Sequence, residues 1–95
     1  MSKVIDTAVA ALAARLSGGF DGVAKFVIPG EGAIMVDGAG VRAGDDEADV
    51  TLTAEAHVFE QILAGDLSAA GAFMSGKLAV DGNMGLAMKL GGALG

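Results

Sequence analysis

The chain has 95 residues, which suffices for one domain near the size at which a single hydrophobic core becomes marginal. Twelve acidic residues against six basic ones give a net charge of −6, and the basic residues do not cluster, so nucleic-acid binding through the phosphate backbone is excluded. Because cysteine is absent, the chain forms no disulfide and no thiolate metal site, and we expect it in the cytoplasm.

The apolar content is unusually high, at 53% of the residues with 16 glycines in addition. The longest uncharged run, Leu67–Gly76, is far shorter than the about 18 residues that a membrane-spanning helix needs. Because no segment spans a membrane, the chain has more apolar residues than a small hydrophobic core needs. We therefore expect a cavity for an apolar molecule or an interface between copies.

The chain begins with a predicted helix and a predicted strand. Ser2 is a candidate cap for the helix, and residues 17–19 would end its apolar stripe, which consists of Ile5, Val9, Leu12 and Leu16. Residues 22–28 then alternate with a period of two. This alternation predicts a strand, and Pro29-Gly30 has the composition of a type II turn at its end.

Three further strands are predicted up to residue 55. Residues 33–37 form the second, and the glycines at 38 and 40 suit a tight reversal into a third at 41–43. Residues 48–55 alternate strictly between apolar and polar side chains. This pattern predicts a strand with one buried and one solvated face, so helices should cover the sheet on one side.

The remaining sequence predicts two helices, a strand and a closing helix. The first helix contains Val58, Phe59, Ile62 and Leu63 and ends at Gly65. Ser68 caps the second, residues 77–81 form the strand, and Asn83 caps the closing helix. Lys89 is the one charged residue after Met84, so this closing helix is apolar on nearly all sides and needs a second surface to cover it. Its methionines and glycines are typical of a mobile lid.

Residues that could carry out chemistry are few. His57 lies near the start of a predicted helix. A catalytic histidine needs a nucleophilic side chain within reach, and none stands out in the sequence, so we expect His57 at the surface. Gly38–Ala43 matches G-x-G-x-x-A, but a strand follows where a dinucleotide site needs a helix, so we interpret it as a hairpin turn. The acidic run Asp45–Glu47 with Asp49 lacks calcium-loop spacing and is a solvated loop. We expect no catalytic residue, no metal and no cofactor.

In element order and in several motifs, the sequence resembles the sterol carrier protein type-two (SCP-2) domain family. The resemblance spans almost the whole chain and is most specific between Gly65 and Leu90, where a G-D-L turn, F-x-x-G-K-L, D-G and L-A-x-K-L occur in family order. The matching stretches are Ala48–Thr53, Phe59 with Ile62–Leu67, Ala72–Asn83 and Leu86–Leu90.

The resemblance implies an α+β fold over residues 1–95, with a five-stranded, mostly antiparallel sheet and helices packed on one face. An apolar tunnel between the sheet and the helices would bind a fatty acid, fatty acyl-CoA, sterol or phospholipid chain without catalysing a reaction. By position, the ligand-binding residues would be Phe59, Ile62, Leu63, Phe73, Met74, Met84, Leu86, Met88 and Leu90.

The implied partner is an apolar lipid, with transient membrane contact and a monomeric or weakly dimeric state. The alternative is a dimerisation or interaction domain of a larger enzyme assembly, in which the apolar surplus forms an interface and no lipid is carried. An enzyme is the third reading, and it would depend on His57, the one histidine in the sequence.

Overall fold

The computed structural model describes residues 3–16 and 19–94. Within them the chain forms four helices and five strands, in the order that the sequence predicts. The helices are α1 (Lys3–Arg15), α2 (Ala56–Ala64), α3 (Ala69–Met74) and α4 (Met84–Leu94). The strands are β1 (Ala24–Ile28), β2 (Gly32–Asp37), β3 (Gly40–Ala43), β4 (Val50–Ala54) and β5 (Leu78–Gly82).

The five strands form one sheet in the order β3-β2-β1-β4-β5. Strand β1 is central, antiparallel to β2 and parallel to β4, with Phe26 opposite both Ile34 and Leu52. The remaining two pairs, β2 with β3 and β4 with β5, are antiparallel. The α+β class and the mostly antiparallel sheet are therefore confirmed.

The core lies between the helices and one face of this sheet. The alternation in β1 and β4 puts every second side chain into it, and Phe26 and Leu52 are almost fully buried. From the helices, Leu12, Ile62 and Leu90 pack into the same cluster. Each fully buried side chain of this size stabilises the fold by about 1.5–3 kcal/mol.

The sequence predicts that the face of the sheet away from the helices is solvated, but part of this face is covered. Met35 of β2 points away from the core, yet it is 1% exposed. Gly44, just beyond β3, lies over it: its backbone N–H donates to the carbonyl of Ala33 at 3.1 Å, and its missing Cβ would be 3.1 Å from Met35 Cγ. Thr51 and Thr53 of β4, by contrast, remain half-buried.

Local signals in the sequence fix most element ends. Gly30 has φ +81° and the Glu31 N–H donates to the Ile28 carbonyl, as a type II turn requires. Ser68 Oγ accepts from the Gly71 N–H at 2.9 Å, and Asn83 Oδ1 accepts from the Leu86 N–H at 3.1 Å, so both predicted caps are confirmed. The predicted cap Ser2 and the first two residues of the predicted stop at 17–19 lie outside the described residues, whereas Gly19 has φ +80° and its N–H donates to the Leu16 carbonyl at 2.8 Å.

The Gly38–Ala43 motif is a hairpin turn, as predicted. It joins β2 to β3, where Asp37 pairs with Gly40. The Asp37 carboxylate accepts from the Ala39 N–H and from the guanidinium of Arg42 at 2.8 and 3.1 Å. The Arg42 guanidinium, with the Ala39 N–H, holds the pKa of Asp37 below its ordinary value.

None of the described helices has both the length and the apolar character needed to cross a bilayer.

Gly82 is predicted to be intolerant of any side chain. It has φ +106°, and a Cβ there would stand 2.4 Å from the Asp49 carbonyl oxygen, in the backbone just before the neighbouring strand β4. Gly82→Ala should therefore lower the free energy of unfolding by at least about 2 kcal/mol. Gly92→Ala is the matched control, since Gly92 lies in α4 with open space around it and should gain about 0.5–1 kcal/mol. Urea denaturation of both variants measures the difference, and equal stabilities would contradict the prediction.

The Asp37–Arg42 pair predicts an acid-sensitive contribution to stability. Because the pKa of Asp37 is lower in the folded chain, the pair stabilises the fold above the ordinary aspartate pKa, and this contribution is lost as the pH falls through the folded value. Asp37→Asn should thus be less stable than the wild type at pH 7 and equally stable in acid. Thermal unfolding across pH checks this, with Asp66→Asn, an exposed residue on another segment, as the control.

Candidate functional site

An apolar groove of about 480 Å³ lies between α1 and α2. Ile28, the last residue of β1, lies at its base between the two helices. From α1 it is lined by Lys3, Val4, Thr7, Ala8 and Ala11, and from α2 by Ala56, Phe59, Glu60, Leu63 and Ala64. The volume falls within the range of about 300–1,000 Å³ that small-molecule sites occupy.

Small side chains create this groove. Ala8 and Ala11 lie on one side of α1 at helical spacing, and Ala56 and Ala64 are at the two ends of α2. Larger residues at these positions would fill the space between the helices, as leucines do in a packed core. The groove is therefore a consequence of the alanine content of the sequence.

The two helices run side by side because the sheet fixes their ends. Ile5, near the start of α1, packs against Gly32, where β2 begins beside the end of β1. Since β4 is parallel to β1 and leads into α2, that helix starts at the same end of the sheet. After α1, Gly19 packs against Gly38 at the opposite end.

Phe59 is the one aromatic side chain in the groove lining. It is 5% exposed, and its ring meets that of Phe26 edge-on, with centroids 5.2 Å apart and planes at 77°. Such a T-shaped contact adds about 0.5–1.5 kcal/mol to the burial of the two rings. Phe59 is thus held by the core on one side and borders the groove on the other.

The groove is apolar inside and polar at its rim. Lys3, Thr7 and Glu60 line it and are exposed to solvent. Within residues 3–16 and 19–94, no group of three or more histidine, aspartate or glutamate side chains is arranged to hold a metal ion. The arrangement offers apolar contact and an amphipathic rim, which suits the binding of a molecule with an apolar body.

Arg15 joins three helices beside the groove. From the last turn of α1, its guanidinium donates to the carbonyl of Leu63 at the end of α2 and to that of Leu94 at the end of α4. The last carbonyls of a helix have no partner within it and carry partial negative charge, so a guanidinium stabilises them. This role has no signal in the sequence, because the partners of Arg15 are backbone atoms, which leave no side-chain pattern.

The structure divides the nine predicted ligand-binding residues into three sets. Phe59 and Leu63 line the groove. Three more belong to the core or pack against it, namely Ile62, Leu86 and Leu90. The other four are exposed on α3 and α4: Phe73 (43%), Met74 (86%), Met84 (45%) and Met88 (76%).

The remaining groove residues were not found by sequence reasoning. Ala8, Ala11 and Ile28 carry no functional group, and the amphipathic stripe of α1 indicated a core-facing helix. The residues with chemical potential lie elsewhere, since His57 is exposed, as predicted, on the first turn of α2 and does not line the groove.

The sequence profile described as the SCP-2 sterol transfer family matches residues 5–95. In the solved structures, the chain is similar to sterol carrier protein 2 from Aedes aegypti in complex with palmitate, a C16 fatty acid, at TM-score 0.76 and 28% identity over 99% of this chain and 96% of that one.

Two curated relatives are much longer than this chain. It is 45% identical to the peroxisomal multifunctional enzyme A of Dictyostelium discoideum over 62 residues, which are 65% of this chain and 13% of that enzyme. It is 38% identical to a hydroxysteroid dehydrogenase-like protein 2 of Xenopus laevis over 77 residues, 73% of this chain and 18% of that protein. The chain thus spans less than a fifth of either relative.

Arg15 is predicted to matter for stability more than its exposed position suggests. Arg15→Gln removes charge from two helix ends, and each hydrogen bond to a charged group contributes about 1.5–3 kcal/mol where it is shielded from water. Since the contact is partly exposed, we expect a loss of about 1–2 kcal/mol in the free energy of unfolding. Lys3→Gln, at the other end of the same helix, should change stability little. Chemical denaturation of the two variants compares them, and an unchanged Arg15→Gln would refute the role.

Proposed function

Because the chain belongs to the SCP-2 sterol transfer family, we propose that it binds one apolar lipid chain and carries it without catalysing a reaction. The apolar groove between α1 and α2 is the observation on which this proposal depends. Its lining offers dispersion contacts and loss of hydrated apolar surface, which are the interactions that bind an acyl chain. The polar rim would leave a head group in water.

A fatty acid or fatty acyl group is the favoured ligand class. The structure of the similar sterol carrier protein 2 from Aedes aegypti contains palmitate, and its structural alignment covers 99% of this chain. A flexible acyl chain also adapts to a groove between two helices more readily than the rigid rings of a sterol. Sterols and phospholipid chains remain the other members of the proposed class.

We propose that the bound chain extends from the groove toward the apolar tunnel expected between helices and sheet. Phe59 and Leu63 would contact it first, and Ile62, Leu86 and Leu90, which belong to the core or pack against it, would line its path. Contact of Phe73, Met74, Met84 and Met88 with the ligand stays a prediction, because it requires α3 and α4 to turn exposed side chains inward. Gly91 and Gly92 weaken α4, which favours such motion.

We also propose that the chain catalyses no reaction on the lipid it binds. The groove is lined by one lysine, one glutamate and one threonine, all exposed, and its interior is aliphatic and aromatic. General acid–base chemistry needs titratable groups held in hydrogen-bond reach of a reacting atom. Binding and presentation of the lipid are therefore the activity we assign, in this chain or as part of a longer protein. The monomeric or weakly dimeric state and the cytoplasmic location stay predictions.

The alternative of a dimerisation domain has less support. The groove is concave and lies within one chain, whereas an interface between copies needs a broad complementary surface of about 800 Å² on each partner. The palmitate complex of the Aedes aegypti protein also favours a carrier. Sedimentation at increasing concentration, with and without palmitate, separates the two: a tight dimer that takes up no palmitate would support the alternative.

Filling the groove should abolish lipid binding. Ala11 lines it, so Ala11→Phe would place a ring in the space that the acyl chain occupies. We expect the affinity for a fluorescent palmitate analogue to fall at least about tenfold, which corresponds to about 1.4 kcal/mol. Ala10→Phe is the matched control, because Ala10 is exposed on the same helix and does not line the groove. Full-affinity binding by folded Ala11→Phe would place the ligand elsewhere.

A further inference from the structure

Strand β5 forms one edge of the sheet, and its outer side is open. It pairs with β4 alone, since it stands last in the strand order. The Asn83 N–H donates to the Asp49 carbonyl at 2.9 Å, so the backbone groups of Asp81, two residues earlier, also point toward β4. Those of Leu78 and Val80 then point away from the sheet. No helix or loop in the described part of the chain forms a backbone hydrogen bond with them.

An open strand edge is a surface to which another strand can add. A row of free N–H and C=O groups is a template for pairing with a second chain, unless a proline or a bulge interrupts it. Strand β5 contains no proline, and its register with β4 is continuous over Leu78–Gly82. The side chains along this edge therefore decide which strand can pair with it.

Three side chains of this edge lie on the face of the sheet away from the helices. Ala79 and Asp81 pair with the two threonines of β4, and Lys77, directly before the strand, continues the alternation. All three are exposed. Within the described residues, neither Lys77 nor Asp81 forms an ion pair. The edge thus has one positive and one negative charge, four residues apart and both unpaired.

We propose that β5 pairs antiparallel with β5 of a second copy of this chain, about a two-fold axis at Ala79. The free backbone groups restrict the register, because those of one copy must meet those of the other. With the axis at Ala79, Leu78 of each copy lies opposite Val80 of the other and hydrogen-bonds with it. Lys77 then lies opposite Asp81, twice in the dimer, in the non-hydrogen-bonded positions where cross-strand side chains are closest.

Other symmetric pairings lack this charge complementarity. An axis at Val80 puts Asp81 opposite Ala79, and an axis at Asp81 puts two carboxylates opposite each other, which is destabilising. The other edge strand, β3, has Arg42 as its one charged residue, and the Asp37 carboxylate already binds that guanidinium. The edge at β5 is therefore the one that fits a second copy of itself.

Helix α3 adds exposed apolar surface at the same edge. It packs against β5 and ends at Met74, three residues before Lys77. A two-fold axis perpendicular to the sheet keeps the helices of both copies on one side of the joined sheet, so the two α3 helices come together there. Phe73 and Met74, which are 43% and 86% exposed, then lose hydrated apolar surface.

This contact leaves the lipid groove free. The groove is lined by residues of α1, α2 and β1, whereas the contact uses β5 and α3. The dimer therefore takes up palmitate, unlike the dimerisation domain considered as an alternative above. Because strand pairing buries less surface than an obligate interface, we expect a weak dimer that forms as the concentration rises.

A charge swap tests the register. Sedimentation of the whole chain at increasing concentration measures the dissociation constant of the dimer. Lys77→Asp puts carboxylates opposite each other in both pairs, so we expect the constant to rise at least about tenfold, and Lys77→Asp/Asp81→Lys should return it to within about threefold of the wild type. Lys3→Asp is the matched control. It makes the same charge change on α1, which packs against β2 and β3, and should dimerise like the wild type.

Amide hydrogen exchange follows the backbone contact directly. Since the N–H groups of Leu78 and Val80 bond across the interface, their protection should rise with concentration in the wild type and not in Lys77→Asp. Circular dichroism establishes that each variant is folded, which the exposure of Lys77 and Asp81 favours.

The outcomes separate this inference from the proposed function. Lys77→Asp should bind palmitate like the wild type, and Ala11→Phe should dimerise like the wild type, because groove and edge share no residue. Equal dissociation constants for the wild type and Lys77→Asp would overturn the pairing, as would a charge-swap variant that stays weak. A wild type that remains monomeric up to about 1 mM would overturn it as well. So would a dimer in which the Val80 amide gains no protection, since its interface would lie elsewhere.

Discussion

The parallel pairing of β1 with β4 is the constraint on which the rest of the structure depends. It joins two strands separated by a hairpin meander and an acidic loop, and it sets Ala24 beside Val50 and Phe26 beside Leu52. Their inward side chains form one apolar surface in the middle of the sheet, and the helices pack on it. Because the two strands point the same way, β4 delivers the chain to α2 at the end of the sheet where β1 stops. The groove with Ile28 at its base exists because of that geometry.

The same arrangement explains how an apolar site survives in so small a protein. Alanines on α1 and α2 leave room between the helices, while Phe59 takes part in both the core and the groove wall. At the far end of α1, the Arg15 guanidinium joins the carboxyl-terminal ends of α2 and α4 and so holds the helices together beside the groove. An open groove thus coexists with a closed core on the neighbouring strands.

Much of this fold could be predicted from the sequence because its signals are local. Alternation gives β1 and β4, and the caps Ser68 and Asn83 with the turn at Gly30 are encoded in a few adjacent residues. The groove could not be predicted in the same way, since it arises from the space that alanines leave when two helices are brought together by a long-range strand pairing. The surplus of apolar residues is evident from composition, but composition does not say where they lie. Met74 and Met88 are exposed, and their contact with a ligand stays a prediction.

The tight approach at Gly82 determines how α4 can move. Gly82 lies against the Asp49 carbonyl, which also accepts from the Asn83 N–H at 2.9 Å, and Asn83 caps the helix that follows. The amino-terminal end of α4 is therefore fixed to the sheet, whereas its carboxyl-terminal end is retained at Leu94 by the Arg15 guanidinium. Because α4 is fixed at its amino-terminal end, any rigid rotation of the helix has its pivot at Asn83 and its largest displacement at Leu94. Access beneath the helix would then require breaking this charged contact and withdrawing the buried Leu90 and Leu94 side chains from the core, without unfolding the helix.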